Sequence, residues 1–470
     1  MYRSRENGRF PPPFTTIHDS FIDISILLSI IFTMSDTVTS GQLSLTGVSA
    51  AALKAFREGR LAARNQEYGK AVKYYTDALS FKGLPSVFHA RLFEYRGQCH
   101  WLLGEFEEAS EDYETSLTTS NDLDQTARAR VRLGELADFR GQYQEAEKLY
   151  QQALGEGVVA ENLLVIGRAR RGLGVLYRRQ GNTETAVSQL TQSLAAFRQA
   201  GEAREQGRVL TSLGRTRQAR GEYQHALNAH KEAYTILESV NDRWRLVQAL
   251  NDIGECHQAL YDVDTALKFH QQALQRGTEV GAEILIPEIK RNLGLDLVEL
   301  GQYEQGLVYL QAALDGARNF GNREAEALAL YHLARAYLRH EDFAQANQAV
   351  NTLYKIAETL DVDRYRALAA FVRGELLFYQ GEQTAAIAEL NVAMLAAQTS
   401  VDRGVLWKLH ATMSHVSENE NIAAVHLSIA ADFIRQTAEP LQDSHLKSCF
   451  VYAPPVLAVL QAANINPDKL

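Results

Sequence analysis

The stretch GELADFRGQYQEAEKLYQQA, residues 134–153, decides the fold. Gly134 lies inside an apolar helical run, and Gly141 ends that run seven residues later. Tyr143 and Ala146, nine and twelve residues after Gly134, open a second run, and Tyr150 follows four positions on. A glycine between two helical patterns reads as a helix stop followed by a helix start. Outward from here the first small residue recurs at Gly59, Gly97, Gly174, Gly214, Gly254, Gly294, Ala334, Gly374 and Ala411. Counting Gly134, the intervals are 38, 37, six of 40, and 37. The second small residue stands twelve positions later in all ten copies, from Ala71 to Ala423. The aromatic at nine holds in six copies and drifts to Thr183, Val263, Gln383 and Glu420 in the rest.

Each copy predicts two antiparallel helices of about 16–17 residues, about 25 Å long at the α-helical rise. Small residues let the paired helices approach closely. Tyr75, Tyr113, Tyr150, His230 and His270, four positions beyond the second small residue, are expected to fill the gap to the neighbouring hairpin. One hairpin cannot bury its apolar face, whereas ten stacked hairpins bury it continuously through nearest-neighbour contacts alone. The predicted fold is therefore all-α, a right-handed α-α superhelix of about ten hairpins over residues 49–438, with a capping segment at 439–470 that closes on a helix near residues 456–463. Proline agrees: between the Pro11–Pro13 run and Pro440 only Pro85 and Pro287 intervene.

Composition sets the outer bounds. Of 470 residues, 46% are apolar and 22% charged, so a sizeable core can form, and collagen-like, disordered and multi-span membrane classes are excluded. The 48 basic and 57 acidic side chains give a net charge of −9, against a nucleic-acid binder. Cys99, Cys256 and Cys449 lie far apart, outside a Cys-x-x-Cys or Cys/His zinc frame, and read as reduced cytosolic thiols, with no metal or cofactor expected. Residues 1–48 read as a tail, disordered, mis-annotated or targeting. Within it residues 21–34, after Arg3, Arg5 and Arg9, resemble a signal-peptide core, and a membrane association is expected only if that segment is a real targeting signal. Met34 is an alternative initiator.

The pattern seen whole at Gly134, Tyr143, Ala146, Tyr150 and Ala153 resembles the tetratricopeptide repeat, over residues 50–438. The 40-residue period resembles the long-helix subgroup found in the spindle-orientation adaptor of animals and in the sensor arms of bacterial signalling ATPases and regulators. The stretch from His445 through the Pro454–Pro455 pair resembles the closing segment of those arms. The resemblance implies protein binding on a concave face lined by the first helix of each hairpin. The adaptor's peptide-holding asparagines survive here only as Asn292, the lysine–asparagine clamp of chaperone-tail binders is missing, and Gly69-Lys70 lacks a phosphate-binding loop.

Chemistry is sparse. His410 and His415 lack a following glutamate for a zinc protease motif, Gly172-Leu-Gly174 lies inside a helix, and paired acids such as Glu107-Glu108 fall at helix starts, so no enzyme is expected. In the resembling family the concave face is formed by positions −6, −3, +1, +4 and +5 about the first small residue. In copies four and five these give Arg168, Arg171, Arg178, Arg179, Arg208 and Arg215. Arginine forks bind carboxylate and phosphate, so the expected partner is a protein or peptide, acidic, phosphorylated or presenting its C-terminal carboxylate. Nucleic acid is not expected. If these arginines are exposed, replacing Arg171 and Arg215 together should weaken binding and leave stability unchanged. Phe371, Phe378 and Tyr379 are expected to form an apolar floor in copy nine. The function expected is a non-catalytic cytoplasmic scaffold; the alternative is a ligand- or peptide-responsive sensor arm of a signalling system.

Overall fold

Each sequence copy folds as a helical hairpin, and the glycine between its halves takes the left-handed conformation, as Gly141 does at φ 77°. Where glycine is absent, Tyr261 and Glu341 hold the same turn at φ 61° and 58°. The computed structural model describes residues 46–397 and 403–470, all within one unit, Gly41–Leu470. The expectations for residues 1–45, the targeting segment and the Met34 start among them, lie outside the described residues. Among those described there are 22 α-helices and no strand. Twenty helices form ten hairpins, from Ala50–Arg64 to Glu420–Ala438. The helices Ser444–Val451 and Pro454–Ala462 follow. Both isolated prolines sit at helix starts: Pro85 caps Ser86–Leu103, and Pro287 lies in the first turn of Ile286–Glu299. No helix of the described residues is long and apolar enough to cross a membrane.

The small residue and the ring sixteen positions later form one packing unit. Tyr150 is 1% exposed, and a methyl group added at Gly134 in its own hairpin, or at Gly172 in the next, would lie 2.8 or 2.4 Å from its ring. Gly214 meets His230, and Gly254 meets His270, in the same way. These buried histidines face carboxylates instead of being simple fillers: His270 Nδ1 lies 2.5 Å from Asp296 Oδ2, and His230 Nδ1 3.7 Å from Asp252 Oδ2.

The expectation of nearest-neighbour contacts alone is overturned. The rings of Phe106 in hairpin two and Phe320 after hairpin seven are 6.2 Å apart. Tyr143 of hairpin three shares a buried cluster with Leu360 and Tyr365 of hairpins eight and nine. Tyr223, Ala226 and Leu227 of hairpin five are packed with Trp407, Ala430 and Phe450. Successive turns of the coil thus touch, because each leaves apolar side chains at its hairpin ends that the next turn covers. The capping segment does not merely close hairpin ten: Phe450, Val456 and Leu460 also pack with Cys256 and Leu260 of hairpin six.

Candidate functional site: an arginine-lined interior

The first helices of hairpins four and five, Leu163–Arg179 and Ala203–Ala219, bring the six arginines onto one inner surface, where five of them pair with carboxylates. Arg168 and Arg208 bind Glu205 at 2.8 and 2.9 Å. Arg171 binds Glu135 of hairpin three, which Arg208 also reaches at 3.2 Å. Arg179 spans Asp138 at 2.5 Å and Glu324 of hairpin eight at 2.9 Å. Arg215 spans Asp252 at 2.6 Å and Glu288 of hairpin seven at 2.8 Å. Burial pushes the Glu135 carboxyl up, but Arg132, Arg171 and Arg208 outweigh it and hold the group well below its usual range. Against the same burial cost, Arg179, Arg178 and Arg364 hold Glu324 at about 2. Arg171 and Arg215 expose only 13% and 22% of their side chains, so the expectation that their removal leaves stability unchanged does not survive; they are members of buried pairs.

Of the six carboxylates that pair these arginines, Glu135, Asp138 and Glu288 were detectable from sequence, and Asp252, two positions before Gly254, was not. Applied to hairpins three, six and seven, the positional rule that picks out the arginines puts Glu135, Asp138, Glu255 and Glu288 on the same face. Glu205 and Glu324 escape it because they stand in the first turns of their helices.

Arg178 differs from the other five. It makes no ion pair with a carboxylate among the described residues. Burial, partly offset by Glu324 and helped by Arg179, Arg364 and Arg215 alongside, lowers its guanidinium to about 10, still protonated at neutral pH. It lines side pockets of about 160 and 90 Å³. The larger of these shares Gln218, Tyr223, Arg291 and Leu328 with a main chamber of about 420 Å³, which extends to Tyr331, Arg335, Trp407 and Phe450. That volume lies within the range of about 300–1,000 Å³ usual for ligand sites. Asn292, at the chamber wall, already gives its amide hydrogens to Asn251 and Glu255 and accepts from Arg291.

The apolar floor expected in hairpin nine is not assembled. Phe371 is fully buried, with the Arg335 guanidinium 5.5 Å from its ring centre, so it offers no surface to a ligand. Phe378 packs edge-on against His415, while Tyr379 is 57% exposed beside Phe343. His410 faces His426, Nδ1 to Nδ1 at 2.8 Å, an internal pairing.

The tetratricopeptide-repeat family model matches residues 88–155, 165–239 and 285–359. Those three stretches are tetratricopeptide repeats, and the fold they belong to is a solenoid of helical hairpins. Over 113 residues the solenoid is 30% identical to the regulatory protein AfsR of Streptomyces griseus, an alignment covering 24% of this chain and 12% of AfsR, so the chain spans a small part of that regulator's length. It is similar to a solved Rap protein complexed with competence and sporulation factor, at 14% identity, with 88% of this chain and 98% of that one covered and a TM-score of 0.49. It is also similar to a signal-transduction ATPase with numerous domains and a tetratricopeptide-repeat sensor, from Pyrococcus horikoshii, at 16% identity, 78% and 55% coverage and a TM-score of 0.45. At these identities the structural likeness is one of fold.

Proposed function

We propose that the solenoid is a non-catalytic interaction scaffold that holds an acidic segment of a protein or peptide partner in its interior chamber, with Arg178 as the point of attachment for the anion. Arg178 carries this reading: it is a partly buried cation that makes no direct ion pair among the described residues, at the wall of a pocket that also holds Glu324 and joins the main chamber. A partner carboxylate or phosphate there would supply the direct contact that Glu324 does not make, and a fork-to-carboxylate contact is the geometry arginine serves best. The other five arginines hold the wall in place through their own pairs.

Binding of acidic, phosphorylated and neutral peptides to the full chain tests this. Affinity for the acidic set should fall as salt rises. Arg178→Ala should weaken it roughly tenfold or more, as expected for a charge-assisted contact of about 1.5–3 kcal/mol, without loss of thermal stability. Affinity indifferent to both salt and Arg178→Ala would refute the reading. The contacts between coil turns favour a second role for the same site, a ligand-responsive arm: a segment filling the chamber would alter hydrogen exchange at Phe106 and Phe320, whereas a passive scaffold would leave those contacts unchanged.

A further inference from the structure

The capping segment carries a group of side chains that the interior chamber does not use. His445 and Cys449 stand four apart on the helix Ser444–Val451, so both project from one face. The start of that helix is fixed by Asp443, whose carboxylate accepts from the His445 and Leu446 backbone N–H groups at 2.9 and 3.2 Å. Facing them is Asp262, at the start of the second helix of hairpin six, with Oδ1 3.6 Å from His445 Nε2. Cys449 Sγ lies 3.6 Å from the same Nε2, and the three ligand atoms all fall within 4.8 Å of one another.

Asp262 differs from the other Asn and Asp residues at its position, although the Glu and Gln residues there make no side-chain cap either. Asn182 and Asp342, at the equivalent position of hairpins four and eight, accept a hydrogen bond from their own helix's first turn, whereas Asp262 makes no such cap. Its carboxylate accepts from the Thr265 side chain in the first turn of its own helix, while Oδ2 is held by His257 Nδ1 at 2.9 Å and Oδ1 faces His445. A buried carboxylate that takes no backbone cap and faces an imidazole and a thiol brings three kinds of metal ligand to one place.

The geometry points to a divalent metal site of the zinc type, with Asp262, His445 and Cys449 as ligands and a fourth position open to solvent on the His445 side, where that side chain is 68% exposed. Metal–ligand bonds of about 2.0–2.3 Å in tetrahedral array set ligand atoms about 3.3–3.8 Å apart, which the two 3.6 Å separations match. A thiolate, an imidazole and a carboxylate together favour zinc over magnesium or calcium, which take oxygen ligands. His257 is a positioning residue that orients the Asp262 carboxylate. The site would fasten the capping helix to hairpin six. Sequence spacing hides it, because the third ligand comes from 183 positions before His445.

The test uses the full chain, stripped of metal by chelation and titrated with Co²⁺ and then Zn²⁺. The expected result is one Co²⁺ per chain, with the visible bands of a tetrahedral centre and a thiolate-to-cobalt charge-transfer band, both removed by Zn²⁺. Cys99 and Cys256 are buried, so the charge-transfer band should vanish in Cys449→Ser. His445→Ala, a change at an exposed position, should abolish the one-to-one titration. His257→Ala should weaken Zn²⁺ binding by about ten- to a hundredfold while keeping the shape of the cobalt spectrum. A spectrum without the thiolate band, the same band in Cys449→Ser, or Zn²⁺ binding untouched by His445→Ala would overturn the assignment.

Discussion

Tyr150 illustrates how one side chain can fix the spacing of three helices. Its ring lies against Gly134 and Gly172 at distances that leave no room for a methyl group, so hole and filler are coupled. Tyr150→Ala should cost about 3–5 kcal/mol, the usual range for deleting a buried aromatic. Gly172→Ala should cost about 1–3 kcal/mol through overpacking. Gly174 faces Leu190 where Gly134 faces Tyr150, so leucine is a tolerated filler. Gly172→Ala should therefore cost less in a Tyr150→Leu background than in the natural protein, a coupling that a double-mutant cycle in urea would read directly. Costs that simply add would mean the ring and the glycine are not in contact.

At the scale of helices, the repeat was fully legible and its stitching was not. The small residue of Gly134 type recurs in all ten copies and a ring of Tyr150 type in five, with proline scarce throughout, so one hairpin's reading transfers to the next. Arg179–Glu324, Arg215–Glu288 and Phe106–Phe320 span separations that are not one period, and no single hairpin shows them. The Asp262–His445 juxtaposition was hidden for the same reason. Glu324 joins the first helix of hairpin eight to that of hairpin four, and its pKa makes the join sensitive to acid. Its folded value of about 2 lies below the ordinary 4.5. The carboxylate therefore contributes stability that is complete above pH 4.5 and is lost as pH falls toward 2. Glu324→Gln should cost on the order of 3 kcal/mol at pH 7, as breaking a buried ion pair does. The gap between the variant and the natural protein should close as pH approaches 2. Denaturation midpoints measured from pH 7 to pH 2 check this; a gap constant with pH would mean that Glu324 does not titrate as part of the pair.

For the whole unit, the contacts between turns decide how the solenoid opens. A coil held by adjacent hairpins alone would respond to a substitution locally. Here Phe320 covers Gly104 and Phe106 from the next turn. Phe320→Ala should therefore speed amide exchange both around hairpin two and at the end of hairpin seven, read by mass spectrometry. Exchange confined to hairpin seven would count against contact between the turns. A chain cut after Val240 should keep helix but lose the covers of Phe106, Tyr143 and Tyr223, and so be less stable than a nearest-neighbour coil would be. The same contact also limits how such a protein can vary in length. An open solenoid can gain or lose a hairpin by duplication, since each new unit meets only its neighbours. In this one, Phe106 and Phe320 must stay a set number of rungs apart along the spring. One duplicated hairpin between them would slide each turn against the next by a full unit, so insertions are tolerable only outside the overlapped span or in whole turns of the coil.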